Sequence, residues 1–227
     1  MMRWCLGVVV AGLVAVPVMA QEADPEVGTV VRFETSAGQI DVELFDERTP
    51  GTVKNFLRLV DEKAYDGSFF HRLVPGFVIQ GGGFKAVEDD EGQLTVDEVK
   101  DHGPVKNEPG LENVKGTIAM AKLGGDPDSA TNQFFFSLGD NRENLDNQNG
   151  GFTVFGRVIA EDFEVLDRMN GLQPVNAGGP FSSLPLMELP EEPVLGPEVM
   201  VMIDSIRVVD PDAEEAAEGE ADAGSDG

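Results

Sequence analysis

Apolar and polar side chains alternate over residues 30–35 (VVRFET) and again over residues 39–44 (QIDVEL), with Ser36, Ala37 and Gly38 as turn residues between them. Alternation puts every second side chain on one face of an extended chain, so the pair predicts an antiparallel hairpin with one buried face. The period then changes. Val53, Phe56, Leu57 and Val60 recur at helical spacing as far as about Lys63, behind Thr49 at an N-cap position and Pro50 where its missing N–H costs nothing.

Residues 69–83 read FFHRLVPGFVIQGGG: two short apolar strands around the turn Leu73, Val74, Pro75 and Gly76, interrupted by only three strongly polar side chains, His71, Arg72 and Gln80. On an extended chain Arg72 points away from both His71 and Leu73. Farther on, residues 84–115 are charged and read as a loop, residues 116–121, 133–138 and 152–159 as strands, and 122–131 and 140–151 as loops. Residues 161–170 predict a second helix with Phe163, Leu166 and Met169 inward, 172–197 a long proline-rich connection with no identifiable partner, and 199–209 a last strand. About eight strands and two helices, mostly hairpin-connected, predict a mainly β fold: a closed eight-stranded antiparallel barrel with two capping helices. The domain spans residues 29–209, and residues 210–227, acidic and without large apolar side chains, form a disordered tail.

The N-terminus changes the compartment. Arg3, an apolar run from Cys5 to Val18, and Val18, Met19 and Ala20 before Gln21 predict a signal peptide over residues 1–20, too short for a comfortable membrane span. Cleavage removes the single cysteine and single tryptophan of the 227 residues, excluding disulfides and thiolate catalysis. No stable membrane insertion is expected afterwards, and the location is periplasmic or secreted. With 42 acidic against 16 basic residues the formal net charge is −26, which repels phosphate backbones and excludes nucleic acid as a partner.

The chemistry is thin in conventional catalytic groups. Of the two histidines, His102 lies in the charged loop and His71, on an apolar strand, reads as a core residue. Zinc-ligand spacings, a phosphate loop after Gly81, Gly82 and Gly83, and the spacing of a calcium loop at Glu88, Asp89, Asp90 and Glu91 are all missing, so no metal or cofactor is expected.

The motifs FHR, PGFVIQGG, QFF and VFG, in that order and with GTIAM between them, resemble the cyclophilin family of peptidyl-prolyl isomerases over roughly residues 29–209. The resemblance implies the same barrel, a cofactor-free isomerase and proline-containing segments of exported proteins as partners, with the enzyme a monomer. It implies that Arg72 is the main catalytic residue, hydrogen-bonding the prolyl amide, and that Gln80 contacts substrate. Phe77, Val78, Met120, Phe135, Leu145 and Phe152 match or adjoin the proline pocket, and Ala121, Lys122 and Gln133 the groove for the residues before proline. Three departures stand out: Phe152, where many relatives carry histidine or tyrosine; Asn144, where eukaryotic members carry a tryptophan important for cyclosporin; and Lys122, in place of a common asparagine, affecting groove charge.

Prolyl isomerisation needs little machinery. Its barrier of about 18–20 kcal/mol comes from amide resonance. A thousandfold acceleration takes about 4 kcal/mol, of which one charge-assisted hydrogen bond supplies about 1.5–3 kcal/mol. The residues alone leave other readings open. Phe77, Met120 and Phe135 also suit an ordinary barrel core, Gln80 could satisfy a buried backbone group, and the same fold could serve as a non-catalytic proline-binding chaperone module or a small-ligand barrel.

Overall fold

The computed structural model describes residues 28–88, 94–159, 162–190 and 195–210; the expected leader, the tail from residue 211 and most of the acidic run at 88–91 lie outside them. Strands β1 (Val30–Thr35) and β2 (Gly38–Leu44) form the expected hairpin, closed by Ser36 and Ala37, with Thr35 paired to Gly38. Helix α1 (Pro50–Asp61) follows and buries Val53, Phe56, Leu59 and Val60. Leu59, rather than the expected Leu57, takes the fully buried position, because the inward face is centred on Phe56. The cap differs too: Thr49 makes no side-chain capping bond. Glu108 caps instead, accepting from Gly51 N–H at 3.1 Å, Thr52 N–H at 2.8 Å and Thr52 Oγ1 at 2.8 Å, and so satisfies donors the first turn leaves free.

The chain continues through β3 (Ser68–Phe69), β4 (Arg72–Val74), β5 (Val78–Gly81), β6 (Phe84–Glu88), β7 (Leu94–Glu98), β8 (Thr117–Met120), β9 (Phe134–Ser137), β10 (Val154–Val158), helix α2 (Phe163–Asn170), β11 (Gln173–Val175), β12 (Leu184–Leu186) and β13 (Met202–Val209). The fold is mainly β, but the expected count of eight strands is corrected. Eleven strands form one curled sheet in the order β4-β5-β9-β8-β10-β2-β1-β13-β3-β6-β7, and β11 and β12 form a second, two-stranded sheet.

Two segments read as irregular supply the additional strands. Within residues 84–115, β6 and β7 pair from Phe84 with Glu98 to Glu88 with Leu94. The charged side chains of Lys85, Asp97 and Glu98 masked this pairing, and residues 95–98 of β7 are all exposed. The connection over 172–197 has a partner after all: Leu184, Leu186, Val199 and Met200 bury Phe69, with Val175, Phe181 and Phe84 packed against them. Backbone hydrogen bonding anchors it, since Leu73 N–H donates to Ser183 O at 2.7 Å. Prolines at 174 and 185 sit opposite each other in this short ladder, where a two-stranded sheet leaves outward N–H positions unused.

The main core lies inside the curl. Phe33, Phe56, Tyr65, Phe70, Phe134, Phe136 and Phe155 are all buried there. The Phe33 and Phe134 rings meet edge to face at 5.6 Å and 75°, the arrangement aromatic quadrupoles favour. In α2, Leu166 and Met169 are buried, while Phe163 is half-buried at the margin.

Candidate active site

Strand pleating sorts the motif residues onto two faces. Leu73, Ile79, Ile118, Met120, Phe134 and Phe136 belong to the main core. Their alternating neighbours point the other way and line up across the strands: Arg72 opposes Gln80, Gln80 opposes Phe135, Phe135 opposes Ala119, and Ala119 opposes Val154. A guanidinium, an amide and an apolar patch therefore share the outer face of one sheet, because residues two apart on a strand share a face. Met120 is 2 % exposed and packs in the main core, so its side chain is not among the groups gathered here.

Three polar side chains form a relay. Arg72 Nη1 donates to Gln80 Oε1 at 3.4 Å, and Gln80 Nε2 donates to Gln133 Oε1 at 2.8 Å. Giving an amide hydrogen to Gln133 turns the Gln80 carbonyl oxygen toward the arginine. Among the described residues no carboxylate lies within ion-pair distance of Arg72. Of its five N–H donors most remain for an incoming acceptor. Beside the relay runs a groove of about 170 Å³, lined by Gln80, Ala121, Lys122, Leu123, Ser129, Thr131 and Gln133.

The apolar patch is a separate small cluster. Val78, Ala119, Phe135, Leu145 and Val154 are buried in it, with Phe77, Ala121 and Phe152 partly buried around them. Phe135 and Phe152 meet edge to face at 5.8 Å and 71°. Leu145 comes from a single π-helical turn, Arg142–Asp146, within the segment read as a loop.

Residues not singled out in the sequence hold that turn in place. Asn141, buried, donates from Nδ2 to Phe77 O at 2.8 Å, and Asn113 donates from both N–H and Nδ2 to Asp146 Oδ1 at 2.9 and 2.8 Å. The only signal was a run rich in asparagine, which reads equally well as solvated loop. Asn144 is exposed.

Lys122 lines the groove, as expected, with its ammonium held by the protein. Its Nζ donates to Asn149 O at 2.8 Å and Gly151 O at 2.6 Å, and it stands 4.8 Å above the centroid of the Phe152 ring. Burial pushes its pKa down, opposed by the nearby Asp128 carboxylate.

His71 faces away from the relay. It is 3 % exposed, abuts Phe84 edge to face at 5.0 Å and leaves Nδ1 without a partner among the described residues. Burial first, and the charge of Arg72 second, lower its pKa to about 4, so at neutral pH it is an uncharged core residue. His102 is a surface group paired with Glu62 Oε2 at 2.7 Å. Among the described residues no group of three or more His, Cys, Asp or Glu side chains could hold a metal ion, and no helix is long and apolar enough to cross a membrane.

Comparison with known proteins puts this geometry in context. A family profile described as cyclophilin type peptidyl-prolyl cis-trans isomerase/CLD matches residues 30–189. Peptidyl-prolyl cis-trans isomerase A of Dickeya dadantii is 42 % identical over 161 residues, covering 69 % of this chain and 78 % of its own. A peptidyl-prolyl cis-trans isomerase of Acinetobacter baylyi is 38 % identical over 160 residues, 69 % of this chain and 79 % of its own. Peptidyl-prolyl cis-trans isomerase B of Escherichia coli is 40 % identical over 157 residues, 66 % and 88 % of the two chains. Among solved structures, a Cryptosporidium parvum cyclophilin type isomerase superposes with a TM-score of 0.58 at 24 % identity, covering 80 % of this chain and 99 % of its own, which establishes likeness of fold.

Proposed function

The chain belongs to the cyclophilin-type peptidyl-prolyl cis-trans isomerases and is such an enzyme, and from that premise we propose that Arg72 carries its catalysis on X-Pro bonds of exported proteins. One observation carries the reading: the Arg72 guanidinium, without a carboxylate partner among the described residues, is one hydrogen bond from Gln80 and shares a sheet face with Phe135.

In this mechanism the prolyl ring sits on Phe77, Val78, Phe135, Leu145 and Phe152, and the residues before it lie along Ala121, the stem of Lys122, and Gln133. As the amide twists, the nitrogen lone pair leaves conjugation and becomes a hydrogen-bond acceptor. Arg72 donates to it, so the bond exists in the twisted state and not in the planar one, which is what lowers a barrier. Gln80 aims the guanidinium and contacts the substrate backbone. No proton changes hands, consistent with a neutral His71 turned away from the site.

Export is supported by the leader-like residues 1–20 and by a sequence whose one cysteine lies inside them. The proposed location is periplasmic or secreted, with the enzyme a monomer. Closure of part of the curled sheet, the eight strands from β4 to β13 in its order, into a barrel is also part of the proposal. What supports it is that Phe70 N–H donates to Val201 O, beside β13, and the adjacent His71 N–H to Gln80 O in β5, so the two residues linking β3 to β4 hydrogen-bond toward both ends of that eight-strand run.

The deciding experiment is a proline-peptide isomerisation assay on the chain lacking residues 1–20, beside its Arg72→Ala variant. Loss of a charge-assisted bond in a dry site predicts a fall in kcat/KM of about a hundredfold. Equal rates would remove the mechanism, and peptide binding without acceleration in the parent would select a non-catalytic proline-binding module.

A further inference from the structure

We propose that Lys122 is a positioning residue whose ammonium clamps the segment 149–151 and the ring of Phe152, so that Phe152 completes the apolar seat. The inference rests on the reading of the Phe135 face as the proline site.

An ammonium has three N–H donors and accepts nothing. Two of those on Lys122 go to Asn149 O and Gly151 O, and the face of the Phe152 ring, 4.8 Å away, takes the remaining side. The ammonium's donors are thus engaged within the protein although the residue lines the substrate groove. Its carbonyl partners converge because the backbone takes an unusual path: Asn149, Gly150 and Gly151 all have positive φ, at 50°, 75° and 75°. Gly151 is required there, since a Cβ would lie 2.9 Å from Asp146 O and 3.0 Å from a Pro109 side-chain carbon. Removing the ammonium would strip Asn149 O of its donor and leave Gly151 O only the Asn107 amide, which donates to it at 2.9 Å.

Phe152 has no polar atom to fix its ring. Its backbone is held, N–H donating to Leu145 O at 2.9 Å, but the ring's orientation depends on what touches it. Phe135 meets it edge to face, and the Lys122 cation stands over its surface, where the negative face of the aromatic quadrupole attracts it. The same loop is also tied to the groove lining by Asn149 Nδ2, which donates to Leu123 O at 2.8 Å. One side chain therefore couples the groove lip, the left-handed turn and the aromatic wall of the seat. A loosened wall weakens the fit of the prolyl ring while leaving Arg72 and Gln80 untouched, so the effect belongs in KM.

The test is steady-state isomerisation by the chain without residues 1–20, comparing Lys122→Met, Lys122→Arg, Phe152→Leu and the Lys122→Met/Phe152→Leu pair, with Arg72→Ala as the site control. Lys122→Met is expected to raise KM about tenfold with kcat within about twofold, and Lys122→Arg, which keeps the cation and its donors, to hold KM within about threefold. In the Phe152→Leu background the Met substitution should add less than about twofold, since the ring it acts through is gone. An unchanged KM in Lys122→Met, an equal rise in Lys122→Arg, or full additivity with Phe152→Leu would each overturn the clamp. If Arg72→Ala keeps the parent rate, the reading of the site itself fails; if Arg72→Ala is impaired and Lys122→Met is not, only the clamp fails. Should Lys122→Met not fold by thermal denaturation, Lys122→Gln takes its place with the same outcomes.

Discussion

His71 and Arg72 are consecutive in the chain yet stand on opposite sides of it, and the permanent charge on the arginine helps keep the buried imidazole uncharged. The pairing lets an arginine be presented to substrate from a strand whose reverse side is core. It also gives the protein a titration signature.

The folded-state pKa of His71, about 4, lies below the ordinary histidine value of 6.5. Between those values the unfolded chain binds the proton and the folded chain does not. The stabilisation is therefore complete above the unfolded pKa and is lost as pH falls through the folded one. The size is about 2 kcal/mol at pH 5, approaching about 3 kcal/mol below pH 4. Urea unfolding at pH 7 and pH 5 measures it, and His71→Phe, which cannot titrate, should flatten that part of the profile.

Gln133 aims Gln80, which aims Arg72. Gln133→Ala frees the Gln80 amide to rotate, and kcat/KM should fall about tenfold with unchanged melting temperature. A fall matched by an equal loss of stability would assign Gln133 to the scaffold instead.

Glu108 satisfies the first turn of α1, and Thr49, despite its position, does not. Glu108→Ala should cost about 1–2 kcal/mol and Thr49→Ser less than about 0.5 kcal/mol. Paired thermal melts of the two variants distinguish them.

Gly82 has φ +77°, and a Cβ there would lie 2.7 Å from the Phe134 ring and 2.8 Å from Asn132 O. Gly82→Ala combines a left-handed strain with overpacking against a buried ring and should cost about 2–4 kcal/mol in denaturant unfolding. Gly76, also at positive φ but with open space around it, should lose only about 1 kcal/mol on the same change.

Most of the architecture was legible because its signals are local. Alternation identified the β1–β2 hairpin and the motif strands, and a helical period found α1 and α2. What escaped depended on contacts distant in sequence. The strand pair at Phe84–Glu88 and Leu94–Glu98 hid behind charges that face solvent, and the connection after α2 became structure only by covering Phe69. Arg72, Gln80 and Phe135, named from motif spacing, share one sheet face. Met120, named because it matches or adjoins the family's proline-pocket positions, packs in the main core, a placement that depends on which face of its strand it takes.

The sequence alone determined the mainly β class, the family resemblance and the three polar groups of the relay, since these follow from which residue stands next to which. The tertiary structure decided which side of the sheet each one serves, that Glu108 rather than Thr49 caps a helix, and that Lys122 spends its charge on a loop 27 and 29 residues away. Hydrogen bonds between such distant segments are set by how the sheet curls, and no local pattern of apolar and polar residues encodes that curvature.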